Sequence, residues 1–391
     1  MKWLRVLSSF LPLLCGSILT SCGTSNQSTS SSSPTPIVPS SQILYAINNG
    51  SVSTYNVDVN ALTFTPIEQP VNLIPNGSLV QFVPAPHDDF LYVLWTDAGN
   101  RQHLSVFATD SSGVPVTPAV QTVDAPSLYQ FNIHRSAHFA YMMQVDNSGN
   151  QYVSTLRLFQ INPTDGKLRE YPQAQGTYGP YNVWPAALYG FSADGTKIYL
   201  NRQNSQGTFY DQRPLNTGNG TVGPGVVLYQ FANTTGAGSD TLVIGTQVMI
   251  DEHRAPGMSG YLDIFPLIPR PKHHLFRCTA PMLAACATAT NVQLSPVGKY
   301  LFLTDPPTQQ IHVARIHLTA MNVQDTGNSI PMTAQTPGFA FSPDGTLVYA
   351  ILASDSSLHV YSFDSSTGQV VSGNAPLPMG NSSGFAPASR P

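Results

Sequence analysis

Acids, a histidine and guanidinium groups crowd into two stretches of a 391-residue chain in which only 10% of residues are charged. Residues 201–224 hold Arg202, Tyr210, Asp211 and Arg213, and residues 251–260 hold Asp251, Glu252, His253 and Arg254. Carboxylates and an imidazole beside fixed cations can activate a water and polarise a carbonyl, the chemistry of lactone hydrolysis, provided the two stretches close over one pocket. Asp124 and Asp305 are further acids that could join them. The plainer alternative makes 251–254 an ion-pair cluster on a hydrophilic loop. A second group, His134, Arg135 and His138 with His87, Asp88 and Asp89, resembles an acid-base or metal constellation. The Arg-Ser-Ala between its two histidines specifies no ligand geometry, so these are read as solvated turn residues. No resident metal or cofactor is expected, and the chain lacks the CxxCH that would attach haem c. Tyr178, Tyr181 and Trp184 either stack on a sugar face or pack between neighbouring elements.

What positions these residues is a repeat. An aromatic in a short apolar strand, a polar turn and a second alternating strand recur at Tyr45, Tyr92, Tyr141, Tyr199, Phe302 and Tyr349, at intervals of 47, 49, 58, 103 and 47 residues. The double-length interval predicts a hidden copy near residue 250, where TLVIGTQVMI and GYLDIFPLI supply two strand-like runs. The count is seven. Residues 372–391 match 326–345 in phase and then stop, while the continuation of that unit stands at the other end, from Ser41. A repeat split between the termini predicts an all-β, seven-bladed propeller over 43–391, closed by pairing the C-terminal strand with the N-terminal blade, because closure removes an unpaired edge.

Between the repeats stand GFSADGTKIYL, QLSPVGKYLFL and FAFSPDGTLVYA, each a strand, a tight turn and the next strand. Asp194 and Asp344 are read as turn formers, since Asp can accept bonds from nearby amides and the following Gly tolerates positive φ. These phrases, with the turns DSSTG at Asp364 and NPTDGKL at Asn162, resemble the lactonase-type β-propellers, the group of 6-phosphogluconolactonase-like and YVTN-repeat proteins. The resemblance covers residues 42–391 and implies a lactone hydrolase as one activity; no catalytic motif is carried over from it. Blade order assigns the loops to two faces. Junctions between blades and loops between second and third strands share the top, where propeller ligands usually sit over the channel, and turns between first and second strands lie beneath. Residues 201–224 and 251–260 are thereby read as top-face loops of adjacent blades. The residues entering the channel, among them Asn76, Ser127, Asn291, Thr336 and Ser382, are small and uncharged.

The amino terminus reads as a processing signal over 1–21. Lys2 and Arg5 precede an apolar run from Val6 to Leu19, and Leu19-Thr20-Ser21-Cys22 resembles a bacterial lipobox that would lipidate Cys22; an ordinary secretory leader is the alternative. Residues 22–42 then form a Ser/Thr/Pro-rich tether. Gly23 after the cysteine favours outer-membrane sorting in a diderm, by resemblance to known lipoproteins. Cys278 and Cys286, an even pair in a chain bound for an oxidising compartment, are read as a disulfide, with two buried thiols as the alternative. Net charge is −4 and becomes about −6 once Lys2 and Arg5 leave with the leader, which disfavours a nucleic-acid partner. The expected partners are the membrane, through the lipid anchor, and a sugar-like small molecule or an envelope protein, bound by a monomer. Three readings follow: a tethered binding or scaffolding module of the bacterial cell envelope, a lactonase-like hydrolase working at the channel mouth, and a redox-cofactor propeller.

Overall fold

The computed structural model describes residues 42–48, 50–86, 89–147, 151–181, 186–192, 194–204, 207–231, 238–244, 248–254, 260–267, 276–296, 298–332, 338–352, 357–373, 375–379 and 384–389. The leader, Cys22 and the tether up to residue 41 lie outside these, as do His87, Asp88, Trp184, Thr336 and Ser382. The described strands form seven antiparallel sheets, each blade running from an inner first strand to an outer fourth. Blade 1 closes the ring: Gly384–Ser389 is its inner strand and pairs with Gln42–Asn48, which pairs in turn with Ser51–Asp58. Gln42, expected at the end of the tether, therefore opens a strand. Blade 2 begins at Gly77–Pro84, blade 3 at Leu128–Ile133, blade 4 at Ala187–Phe191, blade 5 at Gly238–Ile244, blade 6 at Asn291–Leu294 and blade 7 at Gly338–Phe341. Blade 5 is the hidden repeat, with Ile250 opposite Val243 and Ile264 where other blades carry the landmark aromatic.

Two devices recur between neighbouring blades. The first uses the landmark ring. Tyr45, Tyr92 and Tyr141, each at most 1% exposed, donate their hydroxyls to the carbonyls of Gly113, Gly166 and Gly220, all in third-to-fourth-strand turns of the following blade. These turns are the DSSTG-type phrases. Asp110, Asn162, Asn216 and Asp364 each accept a bond from the amide two residues on, and the glycine that ends each turn has φ between 69° and 82°. A Cβ on Gly166 would stand 2.5 Å from the Phe90 ring of the preceding blade, so this glycine permits close approach as well as the turn. The second device uses inner-strand amides: Gln81 bonds both the N–H and the carbonyl of Phe131, Gln130 accepts from Leu188, and Gln293 donates to Phe339. Side-chain amides on the inner strands thus help hold the ring together.

First-to-second-strand turns form one face. Ser342 accepts the Leu347 N–H and Asp344 the Thr346 N–H, as the SPDG phrase predicts. His134 takes the position of that serine in blade 3. It is 5% exposed, bonded to Ser136 and to the Gly195 carbonyl of blade 4, and burial pushes its pKa down. It is a buried turn brace rather than a solvated residue, while His138 is exposed. Between blades 5 and 6, Cys278 and Cys286 form a disulfide whose loop carries the short helix Ala285–Thr288 into the apolar seam.

Candidate functional site

The top ends of the second and third strands gather several of the described acids and bases, though not as the expected loops. Arg202 lies in Lys197–Asn204 and Asp211 in Gly207–Pro214, which pair as second and third strands of blade 4. Asp251, Glu252, His253 and Arg254 end the second strand of blade 5, Val248–Arg254. Their loop placement is corrected: GTFYDQRP, within residues 201–224, is the third strand of blade 4 and is followed by the outer strand Val226–Phe231. Register puts Asp251 directly opposite Asp263, Glu252 opposite Leu262 and His253 opposite Tyr261. The side chains of Arg202 and of 251–254 lie outside the described set.

Asp211 and Asp263 fall on opposite sides of the blade 4 sheet. Asp211 is 3% exposed, with Arg213 Nη2 3.9 Å from its Oδ2, and Arg213 stacks on Tyr178 of blade 3 at 5.0 Å. Tyr178 is 5% exposed and packs between blades, the second of the two fates expected for it. Leu262 and Ile264 pack against blade 6, which turns the alternate residues Asp263 and Phe265 toward blade 4. Asp263 is fully buried and takes a bidentate pair from Arg277, at 2.7 and 2.9 Å, while Arg277 stacks 3.8 Å from the Tyr261 ring centroid. The Asp263 carboxylate raises the pKa of Arg277, so this pair stays charged.

Two further clusters escaped the sequence reading, although each contains an acid it named. In blade 2, His103 Nε2 lies 3.2 Å from Asp97 Oδ2, and its Nδ1 lies 3.0 Å from Asp124 Oδ1, near enough for an ion pair but out of line for a hydrogen bond. Trp95 covers the imidazole at 4.6 Å between ring centroids. The Arg101 backbone N–H, then the His103 and Arg101 side chains and the Gly99 N–H, hold Asp97 down at about 2 against partial desolvation. In blade 6, buried Asp305 accepts hydroxyls from Thr288 at 2.6 Å and Thr308 at 2.7 Å. His312 Nε2 lies 2.9 Å from Thr308 Oγ1 and 3.4 Å from Asp305 Oδ2, and its Nδ1 lies 3.9 Å from Asp325. Both clusters draw an acid from the end of the second strand, a histidine from the third and an acid from the fourth. The sequence signal was an acid closing one strand of a hairpin and a histidine six or seven residues on in the next.

Asp124 and Asp305 therefore stand in separate clusters on blades that are not neighbours. Among the described residues no group of three or more His, Cys, Asp or Glu side chains is arranged to hold a metal ion. Two shallow cavities, of about 370 and 270 Å³, lie on the outer flank of blade 3 around Gln160 and Arg169, away from the channel.

No protein-family model matches the chain, and no curated protein matches it in sequence. Solved structures do match its fold. A candidate 6-phosphogluconolactonase from Bacteroides uniformis is 17% identical with a TM-score of 0.62, covering 89% of this chain and 100% of its own. The periplasmic gluconolactonase of Pseudomonas aeruginosa is 14% identical, TM-score 0.61, over 90% and 99%. A candidate 6-phosphogluconolactonase from Bacteroides fragilis is 13% identical, TM-score 0.57, over 91% and 100%. Along nearly its whole described length, the chain shares the seven-bladed propeller fold of these lactonase-type proteins.

Proposed function

We propose that the chain is a lipid-anchored envelope protein whose propeller binds a polar, uncharged ligand of the sugar class, or a partner displaying one, on its top face without turning it over. One observation carries the reading: the described acids and bases of that face are engaged with each other. Asp97 and Asp124 flank His103, Thr308 and Asp305 face His312, and Arg277 is committed to Asp263. A general base needs a nitrogen or carboxylate within reach of substrate, and a nucleophile needs a partner turned toward it; here the His103 and His312 rings and the buried Asp263 and Asp305 carboxylates face neighbouring side chains. Apart from Asp240 in blade 5, the inner strands carry neutral side chains, which suit hydroxyl-rich ligands held by neutral donors and acceptors.

The lactonase-like hydrolase is the second reading, favoured by the fold shared with the periplasmic gluconolactonase of Pseudomonas aeruginosa. Purified protein assayed against a panel of sugar lactones, beside calorimetry with the matching sugars and sugar acids, separates the two. Binding without turnover is the expected result. Turnover that is abolished by His253→Ala or Asp251→Ala, in variants that melt like the parent, would establish the hydrolase and sink the binding-only reading.

A further inference from the structure

We infer that the propeller stands on its anchoring membrane with the face of first-to-second-strand turns toward the lipid and its top face, with the channel mouth and the hairpins of His103 and His312, turned away. This rests on the lipid-anchored reading above, and concerns which surface that anchor leaves open to a ligand. The point of entry of the chain decides it. In blade 1 the two termini occupy the place of the first-to-second-strand turn, because Gln42 is the register partner of Ser389. Gln42 is 1% exposed and built into the turn face: its Oε1 accepts the Tyr349 hydroxyl at 3.0 Å, and its Nε2 donates to Thr346 Oγ1 at 3.5 Å in the SPDG turn of blade 7. Neighbouring turns touch around the same face. A Cβ on Gly345 of blade 7 would meet Pro296 of blade 6 at 2.9 Å, and His134 of blade 3 bonds the Gly195 carbonyl of blade 4 at 2.8 Å. The tether therefore leaves the disc from the turn face, close to its inner rim.

The tether is too short to make the opposite orientation comparable. Strand Gln42–Asn48 has seven residues, which at the usual rise makes the disc about 23 Å thick there. From their Ser/Thr/Pro-rich composition, residues 22–41 are expected to reach roughly 25 Å r.m.s.. Presenting the top face to the lipid would require the tether to pass outward across two strands of blade 1, about 10 Å, and then down the disc, a path of roughly 35 Å before any lipid is reached. The turn face carries no excess of positive charge to draw it flat onto lipid: Asp58, Asp110, Asp165, Asp194, Asp344 and Asp364 alternate there with Arg135, Lys167, Lys197 and Lys299. The tether alone holds the disc, turn face inward.

The test uses the full, lipidated chain in vesicles with and without lipids whose headgroups carry a quencher. Ser111→Cys and Ala98→Cys place a fluorophore on exposed turns of the same blade, one on each face, at similar distance from the ring axis. Because Cys278 and Cys286 are bonded to each other and Cys22 would be acylated, the new thiol is the one available for labelling. The Ser111 label should lose at least about twofold more emission to the quencher lipids than the Ala98 label, since the two sit a disc thickness apart. Equal quenching, or stronger quenching at Ala98, in protein that floats with vesicles would overturn the orientation and leave the anchor standing. Failure to float, or equal flotation of Cys22→Ser, would overturn the anchor and the orientation with it.

Discussion

Deleting residues 384–391 removes the inner strand of blade 1 and so tests the closure itself. Six register pairs, from Gln42↔Ser389 to Ile47↔Gly384, join that strand to its neighbour. Pro387 lacks an N–H, so about five backbone hydrogen bonds are lost, at a net ~1 kcal/mol each. Ile43, Tyr45 and Ile47, all at most 2% exposed, lose cover along the same seam. Uncovering about 100 Å² of apolar surface adds roughly 2.5 kcal/mol. The sum, about 7 kcal/mol, is comparable with the whole stability of many domains, and for a propeller of this size corresponds to a Tm lower by about 10 °C. Thermal melting followed by circular dichroism and dye binding reads both the shift and the exposed edge. Ala388→Asp, which places a charge at a 2% exposed position of the seam, is the companion variant with the strand kept. Wild-type melting in both variants would refute the closure argument.

Three further outcomes follow from individual contacts. Tyr92→Phe removes the donor to the Gly166 carbonyl and leaves a buried acceptor unpaired, which should cost about 1–2 kcal/mol in urea unfolding, while an exposed control, Tyr129→Phe, should change nothing. Asp97, Asp194 and Asp364 are each held at about 2, below the unfolded carboxylate value, so their stabilisation is present above pH 4 and fades as pH falls through 2. Asp194→Asn and Asp364→Asn should therefore flatten the fall of Tm between pH 4 and pH 2, and an unchanged slope would remove these turns from the account. Replacing Cys278 and Cys286 together by Ser opens a loop of nine residues, for which chain-entropy scaling gives about 2.5 kcal/mol; a smaller loss in denaturant titrations would mean that packing in the seam, not the covalent bond, holds the loop.

The propeller was legible because it is periodic. Strand patterns repeat about every fifty residues, turn chemistry marks each corner, and the unit cut between the termini names the strands that must pair, so blade number and closure follow from local rules applied seven times. Asp194 and Asp344 could be read as turn formers for the same reason, since an Asx turn is made within a few residues. Blade 4 defeated the reading where Gly207–Pro214 carries Asp211 and Arg213 among strand formers, so that charge made a strand resemble a loop. Blade 5 did likewise: Asp251 to Arg254 extend a strand whose register partner, Asp263, is itself a buried acid.

The candidate site was not legible in this way, because its contacts join residues that only packing brings together. Nothing along the chain marks His134 as buried; Gly195, sixty-one residues on, makes it so. His103 stands beside Asp124 through the pairing of the third and fourth strands of blade 2, and Thr288 reaches Asp305 through a disulfide loop entering the seam between blades 5 and 6. By itself the sequence determined the architecture, its closing strand and the chemistry of its turns, all set by local propensity and repetition. The tertiary structure alone decided which charges neutralise one another and on which side of a sheet each acid falls, since a period-two strand assigns faces only once its neighbours are in place.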